Sequence, residues 1–312
     1  MIDITRIDIV DAHRRIAADI RHTPLLRLRG RELGVECEEL WLKLEHLQVG
    51  GSFKARGMFN RMRSQPIPEA GVVIASGGNA GIAVAAAARS LGVRCEVFVP
   101  ELSSQSKRDK LRQLGAEVTV GGRSYADALD ASLARQATTG ALLMHAYDQL
   151  EVVVGAATLA AEVEDDAGVP DRALVSVGGG GLIAGVSTWF AGRCRVEALE
   201  PELAPTLFRA REAGMPVDVE VSGIAADSLG ARRIGTIAWD LAQRHVAAAH
   251  LIADDAIRAA QLALWKHLRL AVEPAAALPF AALATRVVQP EPDEKVLLVI
   301  CGANLDPASL AG

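Results

Sequence analysis

The period of apolar and polar positions switches repeatedly along this 312-residue chain, and each switch predicts an element. Residues 8–21 place Ala12, Ile16 and Ile20 four apart among charged residues, as an amphipathic helix requires. His22-Thr23-Pro24-Leu25 ends that helix, because proline disfavours helical backbone in the residue before it. Leu40, Leu42 and Leu44 alternate with Trp41, Lys43 and Glu45, the pattern of a half-buried strand. From residue 72 the order becomes regular: strand Val72–Ala75, an alanine-rich helix stopped by Gly92, strand Cys95–Pro100 and helix Ser106–Leu114. Strand Ala116–Val120 and helix Tyr125–Gln136 follow. A second series runs through strand Ala141–Met144, helix Val152–Glu164, strand Leu174–Val177, a helix after Gly178–Gly181, strand Val196–Leu199 and strand Val296–Ile300. Residues 201–222 are the least regular and read as a surface excursion. Strands alternating with helices of this length predict parallel βαβ units and an α/β fold.

Composition narrows the functional classes. Half the residues are hydrophobic and the mean hydropathy is +0.22, so a well-buried globular chain of one large unit or two domains is expected. A net charge of −5 and only 4% aromatic residues give no basis for nucleic acid or an anionic membrane as partner. Cys37, Cys95, Cys194 and Cys301 lie far apart, without metal-ligand spacing, which fits free thiols in a reducing, cytoplasmic setting. No apolar run approaches the length of a membrane span, and the first residues carry early charges rather than a secretory signal.

The chemistry gathers in a few loops. Gly50-Gly51-Ser52-Phe53-Lys54-Ala55-Arg56-Gly57 joins a strand-like run to a helix-like one, an unusual place for a lysine. Glycine lets backbone approach a ligand closely, and Phe53 offers a flat apolar surface beside the amine. Burial beside the second cation, Arg56, would lower the pKa of Lys54 and make it an amine nucleophile; the plainer reading is an exposed loop lysine. Three further loops follow strands, where ligands bind in an open parallel sheet: Ser76–Gly81, Gly178–Gly181 and Cys301–Asn304. Successive glycine amides at a helix N-terminus make a phosphate site. Gly179, Gly181 and Ala184, with Glu197 or Glu200 about twenty residues on, also satisfy a dinucleotide fingerprint, so an NAD-dependent oxidoreductase is a second reading. Ser76 and the amides after it can hold a small carboxylate, and Asn79 either bonds a ligand oxygen or caps the helix that begins there. Cys301 is either a buried small hydrophobe or a neutral thiol donor to a ring nitrogen.

Taken together, these residues resemble the serine/threonine dehydratases, enzymes of fold type II that depend on pyridoxal 5′-phosphate. The resemblance runs over nearly the whole chain. It rests on His22-Thr23-Pro24-Leu25, Lys43–Gln48, Gly51–Gly57, Ser76–Gly81, Gly178–Leu182, Glu200-Pro201-Glu202, Val272-Glu273-Pro274 and Cys301-Gly302, in matching order and spacing. It implies two open twisted sheets of mainly parallel strands with helices on both faces. A large domain of residues 1–44 and 146–312 would then carry a small domain, residues 45–145, that closes over the active site. It further implies that Lys54 forms the Schiff base and takes the substrate α-proton, Phe53 stacks near the pyridine ring and Asn79 bonds its O3′. Gly178, Gly179, Gly180 and Gly181 would hold the 5′-phosphate, and Cys301 the ring nitrogen. Ser76, Gly77, Gly78 and Ala80 would bind the substrate carboxylate.

The implied reaction is α,β-elimination from L-threonine or L-serine, giving a 2-oxo acid and ammonia, with another β-substituted amino acid as the alternative. Gly77 stands where serine racemases carry a serine, Ala80 departs from the cysteine synthases, and Gly50 replaces a frequent threonine. Ala80 with Cys301 looks closest to the liver-type serine dehydratases. Glu200 and the carbonyl of Ala204 match part of a cation site, and Thr206 in place of an acidic ligand points to K⁺ rather than Mg²⁺. The resemblance also implies a homodimer and, without a long C-terminal extension, no appended regulatory domain. A relative retained for binding or sensing is the non-enzymatic reading, and the intact Lys54 stands against it.

Overall fold

The structure, a computed structural model, describes residues 2–310. Its strands are β1 Leu25–Arg29, β2 Glu39–Lys43, β3 Val72–Ala75, β4 Cys95–Val99, β5 Glu117–Val120, β6 Leu142–Leu143, β7 Arg172–Ser176, β8 Arg195–Pro201, β9 Ala248–Ile252 and β10 Lys295–Val299. Its α-helices are α1 Arg6–Ile16, α2 Lys54–Arg63, α3 Asn79–Leu91, α4 Gln105–Gln113, α5 Tyr125–Thr139, α6 Leu150–Ala167, α7 Gly181–Phe190, α8 Thr206–Ala213, α9 Thr236–His245, α10 Asp254–Leu268 and α11 Pro274–Ala284. Among the described residues the strands form two sheets, in the order β1-β2-β10-β7-β8-β9 and β5-β4-β3-β6. Every neighbouring pair is parallel except β1 and β2. The α/β class is the one that the alternation of strands and helices predicts, and the two mainly parallel sheets are those that the resemblance implies.

Three local expectations change. β2 is not half-buried: Trp41 and Lys43 are as enclosed as Leu40 and Leu42. It lies between β1 and β10, with helices closing the face that alternation would have left to water. Lys43 tolerates this because its Nζ lies 2.7 Å from Glu162 Oε2 and donates to the Thr23 carbonyl at 2.8 Å. The span 201–222 holds α8, with Thr206, Leu207 and Ala210 buried, so it is not simply a surface excursion. The strand expected over Ala141–Met144 is only the two residues of β6.

Close helix packing places the lysine. α2 crosses α6 with a glycine from each helix at the contact. A Cβ on Gly57 would fall 2.7 Å from the Val152 carbonyl oxygen, and one on Gly155 would fall 2.5 Å from the Arg56 carbonyl oxygen. Beside this crossing Arg56 is fully buried, bonded to Glu45 through Nε and Nη2 and to Glu162 through Nη1 and Nη2 at 2.7–2.8 Å. Arg56 thus ties the first turn of α2 to α6 and to the segment after β2.

Candidate active site

Lys54 is the first residue of α2, and two backbone contacts set it against the end of β10. The Phe53 N–H donates to the Cys301 carbonyl at 3.0 Å, and Ser52 forms an isolated antiparallel bridge with Gly302. Lys54 Nζ donates to the Ala146 carbonyl at 2.6 Å and stands 5.1 Å from the centre of the Phe53 ring. Loss of water around the amine lowers its pKa to about 8, although the Glu273 carboxyl pulls the other way. Its place at the positive end of a helix acts in the same direction as burial. Arg56 is not the cause that the sequence suggests: its guanidinium is neutralised by Glu45 and Glu162.

Phe53, Lys54, Asn79, Gly178, Gly179, Gly180, Gly181 and Cys301 line a single cavity, together with Glu273. The glycine loop follows β7 and runs into α7, so its four residues line the cavity at a helix start, where backbone amides lack intrahelical partners. It is held from three sides: Thr206 Oγ1 donates to the Gly178 carbonyl at 2.6 Å, the Gly235 N–H donates to the Gly179 carbonyl at 3.0 Å, and the Tyr147 ring lies against Gly179. A Cβ on Gly179 would meet that ring at 2.2 Å. Gly180 has φ +92, and a Cβ there would meet the Ala238 methyl at 2.4 Å. Gly180→Ala is therefore expected to cost about 1–3 kcal/mol and to weaken retention of a phosphate-bearing cofactor. Urea unfolding and cofactor loss on dialysis measure the two effects, and an unchanged variant would contradict both.

The residues fit pyridoxal 5′-phosphate. The cavity offers an amine of lowered pKa, an aromatic face, a strand-to-helix loop of glycine amides and the Cys301 thiol. Burial holds that thiol well above its ordinary pKa, so it is neutral.

Asn79 does not cap α3, since Gly78 occupies the cap position. It donates through Nδ2 to Glu273 Oε1 at 2.7 Å and accepts at Oδ1 from Asn304 at 2.6 Å. Glu273 and Asn304 lie in the Val272-Glu273-Pro274 motif and the Cys301–Asn304 loop, but the sequence gives neither a role of its own. Glu273 precedes Pro274 at the start of α11, where an acid usually caps the helix, yet its carboxylate makes no such bond. Burial raises its pKa to about 7 against the pull of Asn79 and two lysines.

Gly77, Gly78 and Asn79 also line a larger adjoining cleft of about 850 Å³. Ser76 Oγ accepts from the Gly78 N–H at 3.4 Å, and the Ala80 methyl is buried in the core around the four-stranded sheet. At the proposed cation position, both Glu200 oxygens already accept from backbone groups: Oε1 from the Leu207 N–H and Oε2 from the Phe208 N–H, each at 2.7 Å. The Ala204 carbonyl accepts from the Thr206 N–H at 3.2 Å. Glu200 thus serves the start of α8, and burial raises its pKa to about 7 despite these donors. The acids on which the dinucleotide reading rests are likewise engaged, Glu197 by Arg172, Arg195 and His250. Among the described residues no cluster of three or more His, Cys, Asp or Glu side chains could hold a metal, and no helix is long and apolar enough to cross a membrane.

Comparison with known proteins agrees with the site. The pyridoxal-phosphate dependent enzyme family matches residues 16–302. The chain is 36% identical over 274 residues to phenylserine dehydratase of Ralstonia pickettii, covering 86% of this chain and 84% of that protein. It is 34% identical over 312 residues to L-threonine ammonia-lyase of Geobacter sulfurreducens, covering 97% and 76%. The crystal structure of the T.th. threonine deaminase superposes with a TM-score of 0.90 at 32% identity, covering 97% of this chain and 99% of that one. A match of this extent, over a cavity built for the same cofactor, means that the chain belongs to the pyridoxal-phosphate dependent enzymes and, within them, to the serine/threonine dehydratase family.

Proposed function

We propose that the protein removes the elements of water from L-threonine or L-serine, releasing 2-oxobutanoate or pyruvate and ammonia. The observation that carries this reading is the Lys54 amine, set at the start of α2 in one cavity with the glycine loop, Asn79 and Cys301. When bound, pyridoxal phosphate supplies the electron sink that makes the substrate α-proton removable. Lys54 Nζ takes that proton; with a pKa near 8 it is deprotonated far more often at neutral pH than an ordinary lysine. Gly178–Gly181 would hold the phosphate through their amides, and the neutral Cys301 thiol would serve as the partner of the ring nitrogen without charging it. Ser76 and the amides of Gly77, Gly78 and Ala80 would hold the substrate carboxylate beside the start of α3, Gly77 and Gly78 being the two that line the wider cleft, and so orient the Cα–H bond toward Lys54. The hydroxyl leaves from Cβ, and the released enamine hydrolyses to the 2-oxo acid and ammonia.

The relatives named threonine ammonia-lyase and threonine deaminase support this substrate choice. The test is chemical. The protein carrying its cofactor is expected to show a visible absorbance band that borohydride abolishes. The pyridoxyl mass should then lie on the peptide containing Lys54. Before reduction, it should release the 2-oxo acid from L-threonine and L-serine. Labelling of Lys54 without oxo acid from either substrate would overturn the substrate reading.

A further inference from the structure

The wider cleft beside the cofactor cavity carries cations that the reaction on threonine or serine does not use. On α4, Lys107 and Lys110 stand one turn apart and reach across to the other wall. Lys107 is neutralised there, with Nζ 2.8 Å from Asp227 Oδ1. Lys110 is not: its Nζ donates to the neutral amide oxygen of Asn304 at 2.6 Å, and among the described residues no carboxylate forms an ion pair with it. On the facing wall, Arg258 likewise donates to neutral acceptors, Gln261 Oε1 at 2.7 Å and the Ser309 carbonyl.

Lys110 sits at the cofactor end of this cleft. Asn304, which accepts from Lys110, donates to Asn79 Oδ1, and Asn79 donates in turn to Glu273. The ammonium is thus two hydrogen bonds from a residue of the cofactor cavity, on the side where the cleft widens beyond Gly77 and Gly78. Three acids line the cleft, Asp227, Glu273 and Asp306: Lys107 neutralises Asp227, and burial keeps Glu273 partly protonated around neutral pH, which weakens its repulsion of an anion. Ser104 and Ser106 add hydroxyls to the same wall. A methyl or a hydrogen on Cβ would leave this polar surface unpaired, whereas a second acid group would satisfy it.

We infer that Lys110 is a specificity-determining residue that binds a second carboxylate, so that the preferred substrates are β-hydroxy amino acids carrying an acid group on Cβ. This rests on the elimination reading above, keeps L-threonine and L-serine as slower substrates of the same site, and names the preferred substrate class. The chemistry needs no further reactant: Cα loses a proton and Cβ its hydroxyl, together one water. The released enamine then takes up one water and loses ammonia as a dicarboxylic 2-oxo acid.

Two measurements on the enzyme with its cofactor test the inference. L-aspartate has the second carboxylate but no β-hydroxyl, and L-alanine has neither, so calorimetric binding isolates the acid group from turnover. A charge-assisted hydrogen bond predicts that aspartate binds about 10- to 100-fold more tightly than alanine. Lys110→Met removes that preference and Lys110→Arg restores much of it. In turnover, kcat/KM for 3-hydroxyaspartate divided by that for L-serine falls about 10- to 100-fold in Lys110→Met, through KM rather than kcat. Equal binding of aspartate and alanine, or a ratio unmoved by Lys110→Met, overturns the inference while leaving elimination intact. Release of no oxo acid from any of these hydroxy amino acids, with aspartate still preferred over alanine, overturns the elimination reading instead.

Discussion

Lys54→Ala is expected to lower oxo-acid release by about 10³-fold or more, since it removes both the covalent anchor of the cofactor and the group that moves the α-proton. The folded protein should survive the change. Lys54 is the first residue of α2 and packs its chain into a cavity, so alanine leaves the helix crossing at Gly57 and Gly155 untouched. A pH-dependent signature accompanies the loss. The folded pKa of about 8 lies below the ordinary 10.5, so between these values the unfolded chain holds the proton that the folded one has released. Stability of the cofactor-free protein therefore rises with pH across that window, and the rise is missing from the variant. Denaturation midpoints taken between pH 7 and 10.5 read it directly. Full turnover in Lys54→Ala would remove the basis of the mechanism.

Arg56→Met carries the largest expected effect on stability. It leaves Glu45 and Glu162 buried without the guanidinium that both of them bond, and removing one partner of such a cluster costs about 3–5 kcal/mol. Lys43 still faces Glu162, so the loss falls chiefly on Glu45, whose other bond is with Thr23 Oγ1 at 2.5 Å. The pH profile has a definite sign. The folded pKa of Glu162 lies at about 2, below the ordinary 4.5, so its contribution is full above 4.5 and is lost as pH falls toward 2. The penalty in Arg56→Met is accordingly largest at neutral pH and shrinks in acid, where the stranded carboxylates can protonate. Urea unfolding at pH 7 and pH 4 measures both points. A loss under about 1 kcal/mol at pH 7 would place the cluster among dispensable ion pairs.

The regular strands and helices from residue 72 to 200 were legible because their apolar periods are long and each ends at a glycine or a charged turn. Between residues 223 and 295 the sequence yields the Val272-Glu273-Pro274 motif but none of the strands and helices there, β9, α9, α10 and α11. α11 shows why: it is apolar nearly all round, carries Pro279 within it and is buried on every side, so it has no polar face to mark its period. The candidate cofactor residues were legible as loop chemistry following strands, each needing only local sequence to be noticed. Glu273, Asn304 and Lys110 were not, because an acid before a proline, an asparagine in a loop and a lysine on a polar helix are commonplace until something is placed against them.

By itself, then, the sequence determined the alternation of strand and helix, the glycine loop at a helix start, and a lysine at a strand-to-helix junction, all of which depend on neighbouring residues alone. Only the tertiary structure decided which charges face one another. It turned Arg56 away from Lys54 into a buried cluster with Glu45 and Glu162, and it joined Lys110 to Asn79 through Asn304, which lies 194 residues from the first and 225 from the second. It also set the Lys54 pKa through loss of water rather than through a neighbouring cation. Burial and charge pairing depend on distances through space, and those exist only once the two sheets and their helices have closed around the cavity.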